Sequence, residues 1–151
     1  MDRNVILAAL EARLKEVDGF RTISRRLKVP PSLTIGEQPA LFIPDPGVQD
    51  AEHRGRGLPT VWRLGVTLWV YVYNADTEGP SPKLQDLLDG VEAALRRRDG
   101  EPRLNDEMQG TNLGGLCWGV QVQQIRATAD LARNVVDQAV AWIDLEILVP
   151  G

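Results

Sequence analysis

An α+β fold, a mainly antiparallel sheet with two helices packed on one face, follows from three features of the sequence. Two segments, within residues 6–17 and 84–95, place apolar residues at helical spacing. Several others alternate apolar and polar residues with the period of a strand. The order is helix, strands, helix, strands, and not the regular alternation that builds a parallel sheet.

The chain has 151 residues, enough for one domain with a sizeable core and no need of disulfides or metals. Hydrophobic residues make up 43% and charged residues 25%, values that exclude a disordered chain. The net charge of −4 weighs against tight nucleic-acid binding, which needs a dense basic patch. The single cysteine, Cys117, permits no intrachain disulfide and suits a reducing compartment. The start of the chain is charged and amphipathic, without a signal-peptide core. No apolar stretch approaches the roughly 20 residues that span a bilayer. A soluble protein, cytoplasmic at synthesis and without membrane contact, is expected.

Each element has its own warrant. Ile6, Leu10, Leu14 and Val17 form one helical stripe, with Asp2 or Asn4 able to cap it and Gly19 able to end it. Phe20 to Leu27 alternates weakly, as a strand would, until Val29–Pro31 breaks it. Pro39 to Pro44, "PALFIP", reads as a short strand. Asp45 to Thr60 has glycine, proline and charge but no periodicity, which predicts a long loop, mobile in the free subunit. Val61 to Tyr73 is a strand of 13 residues, long enough to bend or to project past the sheet as a hairpin arm. Asn74 to Pro82 is a turn that leads into a helix capped by Ser81, with Pro82 at its first position. Leu84, Leu87, Leu88, Val91 and Leu95 form its stripe, Arg96–Arg98 fall in its last turn, and Gly100 terminates it. Glu101 to Gly115 reads as a second long loop. Two strands close the chain. In the first, Trp118, Val120 and Val122 face one way; in the second, Ala141, Ile143, Leu145, Ile147 and Val149 oppose Trp142, Asp144 and Glu146.

The catalytic inventory is thin. His53 sits in a glycine-rich, charged stretch and reads as a surface residue; Cys117 reads as a small buried hydrophobe. No phosphate-binding, nucleophile-elbow or zinc motif occurs. The acidic pairs Asp86/Asp89, Asp106/Glu107 and Asp144/Glu146 read as solvated. Catalytic, cofactor and metal sites are therefore not expected. What calls for explanation is the second face of the long strand. Val61–Tyr73 puts Trp62, Leu64, Val66, Leu68, Val70 and Val72 on one side, but the other holds Arg63, Thr67, Trp69, Tyr71 and Tyr73. Trp142 joins the latter set from the last strand. That face is either a second core layer or a subunit interface, where Trp, Tyr and Arg are enriched. Arg63, Trp69, Tyr71, Tyr73 and Trp142 are the candidate interface residues, with Arg54 and Arg56 as contacts for an acidic partner.

The series of an N-terminal helix, "PALFI", a glycine-rich stretch leading into "PTVWRLGVTLWVYV", then "SPKLQDLLDGVEAALRR" and a closing "QAVAWIDLEILVP" resembles the tail terminator (tail completion) proteins of tailed bacteriophages. The resemblance spans nearly the whole chain, residues 1–151, as one domain. It implies a non-enzymatic virion subunit, assembled in the host cytoplasm, that closes into a hexameric ring on the head-proximal end of the tail tube. The ring stops tube growth and offers a surface to the head. Its partners are further copies of itself, the tube protein and a neck or connector protein, with DNA passing through the lumen unbound. The family supplies no functional motif to carry over. The competing classes are a head–tail connector or tube subunit, and an enzymatic or ligand-binding α+β module.

Overall fold

A computed structural model describes residues 1–102, 110–128 and 136–151. The described elements are α1 (Arg3–Leu14), β1 (Thr22–Ser24), a 3-10 turn (Ile35–Glu37), β2 (Ala40–Phe42), β3 (Val48–Glu52), β4 (Val61–Tyr73), α2 (Ser81–Ala94), β5 (Gly119–Ala127) and β6 (Gln138–Pro150). The strands form one six-stranded sheet in the order β1-β2-β4-β6-β5, with β3 also on β4. Only β1 and β2 run parallel; the other pairs are antiparallel. The expected α+β architecture is thus present.

The spine is β4 against β6, which pair at every position from Val61↔Pro150 to Tyr73↔Gln138. Because side chains alternate across a strand, this register fixes two faces. One presents Leu64, Val66, Leu68, Val70 and Val72 of β4 with Ala141, Ile143, Leu145, Ile147 and Val149 of β6, all buried. Both helices cover that face, α1 with Ile6, Leu7, Leu10 and Leu14, α2 with Leu84, Leu87, Leu88 and Val91, and these residues belong to one apolar cluster. Asp2 caps α1, its carboxylate accepting from the Val5 amide at 3.2 Å.

The structure corrects the sequence reading at several places. Residues Asp45–Thr60 are not wholly a loop: β3 lies within them and pairs with β4 from Val48↔Gly65 to Glu52↔Val61. Its own side chains are mostly exposed and its propensity is weak, so periodicity could not reveal it. The edge of β4 templates it, and Arg63 holds Glu52 at 3.0 Å across the pair. Nor does β4 project past the sheet, since β6 runs beside its full length while β2 and β3 line its other edge. The strand read at Phe20–Leu27 shrinks to Thr22–Ser24. Pro80, not Ser81, occupies the cap of α2, and no side chain caps it. Arg96–Arg98 lie past the end of that helix, whose C-cap is Leu95. Trp118 precedes β5 and does not share the main core with Val120; it packs with Val61 and Leu148 in a separate cluster. Asp106 and Glu107, and part of the loop read at Glu101–Gly115, lie outside the described residues.

The described ends of that last loop are held tightly. The Glu101 carboxylate receives the Arg13 guanidinium at 2.5 Å, the Thr111 hydroxyl at 2.7 Å and the Asn112 amide at 3.2 Å. Arg13 also donates to the Ala94 and Arg96 carbonyls, at 2.7 and 2.9 Å, and so satisfies the exit of α2. Burial alone would raise the Glu101 pKa, but the bonds from Thr111, Arg13 and the Arg98 amide outweigh it and hold the carboxyl below its ordinary 4.5. A depressed folded-state pKa contributes stability that is complete above the unfolded value and is lost as pH falls through the folded one. Denaturation melts from pH 7 downward should therefore fall more steeply below about pH 4.5 in the native protein than in Glu101→Gln. At pH 7 that variant should be less stable by about 2 kcal/mol, the scale of hydrogen bonds to a charged group.

Candidate functional site

The face of the sheet opposite the helices carries the polar and aromatic side chains of β4 and β6, and it divides into three zones. At the β2 end, Tyr71, Phe42, Ala40 and Leu33 form a small buried cluster, with Trp69 and Val140 packed beside it. Phe42 meets Tyr71 edge-on at 6.1 Å, Trp69 stacks on Tyr71 at 6.4 Å, and Trp69 meets Trp142 edge-on at 5.7 Å. Leu33 is delivered by the segment between β1 and β2, which folds over this end. Tyr71 is 3% exposed, so it belongs to a second core layer, and burial raises its pKa. Trp69, Tyr73 and Trp142 remain part-exposed.

The middle zone is ionic. Asp144 accepts from the Thr67 hydroxyl at 2.8 Å and from the Arg126 guanidinium at 3.1 and 3.2 Å. Partial burial opposes ionisation of Asp144, but these bonds and the Arg126 charge prevail, and its pKa is lowered. Arg126 also lies over the Trp142 ring, 5.5 Å from its centre. One step along the sheet, Arg63 bridges Glu52 at 3.0 Å and Glu146 at 2.8 Å, and the bond to Glu52 helps to raise the Arg63 pKa. Between the first two zones the chain leaves the edge of β4: β2 ends at Phe42 opposite Trp69, and β3 resumes at Val48 opposite Gly65. The gap forms a groove of about 460 Å³ lined by Pro44, Gly47, Thr67, Trp69, Arg126 and Trp142.

The third zone is the β3–β4 hairpin, whose tip spans residues 53–60. Arg54 lies 5.1 Å over the Trp118 ring and 3.8 Å from Glu52. Arg56 and Leu58 are exposed, Leu58 by 60%. His53 is exposed and shares a 3.2 Å hydrogen bond with Thr60. Gly55 and Gly57 adopt φ of +122° and +80°, conformations that L side chains rarely take, and these bend the tip.

The sequence-derived candidates are thus partly gathered. Trp69, Tyr71 and Trp142 meet on one face with Arg63 a few residues away, whereas Arg54 and Arg56 sit at the hairpin tip. Alternation places Thr67 and Asp144 on this face; it does not find Arg126, which strict alternation aligns with Val120 and Val122 and which only the register shift between Val122 and Gln124 brings opposite Trp142. Cys117 is buried and its pKa is pushed up to about 12, mainly by burial, so its thiol stays protonated. Among the described residues no cluster of His, Cys, Asp and Glu is arranged to hold a metal ion, and no helix is long and apolar enough to cross a membrane.

The class defined by these features is a small α+β domain whose sheet leaves a mixed aromatic and ionic face uncovered by helices. No protein-family model matches the chain, and no curated protein matches it. Among solved structures, a chain of the virion of native gene transfer agent (GTA) particle matches with a TM-score of 0.52 and 12% identity, over 97% of this chain and 95% of that one. At this identity the likeness is one of fold.

The two environments on β4 give a test. Val70→Asp and Tyr71→Asp should both unfold the protein, each burying an uncompensated charge at a cost of about 3 kcal/mol or more. Trp69→Asp should leave the melting temperature nearly unchanged and weaken self-association, read by sedimentation at rising concentration. Equal loss of fold in all three would make Trp69 a core residue.

Proposed function

We propose that this chain is a structural virion protein, a tail terminator. Copies close into a ring, six in number by the resemblance, on the head-proximal end of a phage tail tube. The observation that carries this reading is the nearly end-to-end likeness of fold to a chain from a GTA virion, which supports a virion structural protein; the terminator role comes from the resemblance of the element series. The role is assembly and not catalysis. In the virion the ring binds tube protein on one side and a neck or connector protein on the other.

The physical logic is that of a capped open stack. A tube built head-to-tail regenerates its binding surface with each added subunit. A ring with one tube-like side and one different side covers that surface without renewing it. Growth stops, and the head meets a new surface. The aromatic part of the outer face, Trp69, Tyr73 and Trp142, is the proposed subunit contact; Tyr71 supports it from beneath. The hairpin tip, with Arg56 and Leu58 exposed, is the proposed contact with tube or neck. Arg63 and Arg126 are engaged by carboxylates, and the chain is acidic, so DNA would pass the lumen without being held. The same fold likeness also supports a head–tail connector, the alternative reading.

Electron microscopy of lysates lacking the protein separates these. A terminator predicts tails that overrun their normal length and remain detached from heads. Tails of normal length without heads would favour the connector, and normal tails joined to heads would remove both roles.

A further inference from the structure

Two strand edges of this sheet have no partner among the described residues. Along β5 only the start is covered, where the Val120 amide donates to the Thr111 carbonyl at 2.9 Å. From Gln121 to Ala127 no strand of the described residues lies on the side away from β6. The five residues of β3 pair with β4, and no strand of the described residues pairs with their other side. Globular proteins blunt such edges with lysines, prolines or very short strands. The edge at β1 is of that kind, only three residues long. The β5 edge is not. Its outward run, Gln121, Gln123 and Gln124, is neutral, and its sole charge, Arg126, is held by Asp144. A bulge at Gln123 twists it locally but adds no charge. Beside this stretch runs a groove of about 600 Å³ lined by Leu95, Arg96, Gly110, Gln121 and Val122, space for the side chains of an added strand.

We infer that the open edge of β5 accepts β3 of a second copy of this chain, so that the sheet continues from subunit to subunit. An edge presents alternating amides and carbonyls, and its full complement is another open edge. In the order β3-β4-β6-β5 the two edges lie on opposite sides of the sheet. Joining them is therefore head-to-tail and leaves one of each kind free, the requirement of a closed ring. Pairing of β5 with β5 would instead be two-fold and would end at a dimer. The inference rests on the ring reading above and adds a backbone contact between strand edges to the aromatic contact proposed there.

Single-cysteine additions test it, because Cys117 is 1% exposed and silent to thiol reagents. Asp50→Cys and Gln123→Cys protein, mixed and treated with a short bismaleimide, should give a joined pair well above either variant alone. Absence of that product, or predominance of the Gln123→Cys self-pair, would overturn the inference. Independently, Gln121→Lys with Gln123→Lys should abolish concentration-dependent association in sedimentation while the melting temperature is kept. Retained association, or a native protein that stays monomeric at every concentration, would overturn it as well. Tail length in lysates reads the capping role separately: overgrown tails on loss of the protein, combined with a failed cross-link, would leave the cap and remove the edge pairing.

Discussion

The pairing of β4 with β6 over thirteen consecutive positions is the constraint on which the rest of this protein depends. A slip of one residue would turn β4 over against β6, sending Leu68 and its aliphatic neighbours to solvent and bringing Trp69 and Arg63 into the core, or would do the same to Ile143 and Asp144 of β6. Burying the ionic set without its partners would be costly, and so would exposing the five aliphatic side chains of either strand, so the register is specified from both faces. With it fixed, the helices have one apolar surface to cover, and their own stripes match it. The edge of β4 then offers a template to two segments, β2 and β3, that are too short and too irregular to stand alone.

The same register shapes the outer face. Arg63 falls where Glu146 and Glu52 can both reach it, and Thr67, Arg126 and Trp142 converge around Asp144. These ion pairs are part-exposed, so each contributes little stability by itself. Their effect is on what the surface can bind. The arginines are already occupied, which leaves aromatic area and strand edges as the adhesive features. A surface of that kind fits assembly with flat, extended protein partners better than capture of a free anion.

Likeness of fold at 12% identity means that architecture is shared where side-chain chemistry is not. The shared part is the layer arrangement, which many unrelated functions can use.

By itself the sequence determined the fold class, both helices and most of their apolar stripes, the aliphatic faces of β4 and β6, the burial of Cys117 and the exposure of His53. Each of these is carried by local periodicity or by residue type, which act within a few residues along the chain. Only the tertiary structure decided the rest. It made a strand of Val48–Glu52, whose composition is that of a loop, because β4 supplied the missing hydrogen-bond partners. It divided the aromatic row, sending Tyr71 into a second core under Leu33 and Phe42 while Trp69 stayed at the surface. It took Trp118 out of line with Val120, and it brought Glu101 to Arg13 across 88 residues. The reason is common to all four. Each outcome depends on which distant segment arrives beside the residue, and no pattern along the chain encodes that neighbour.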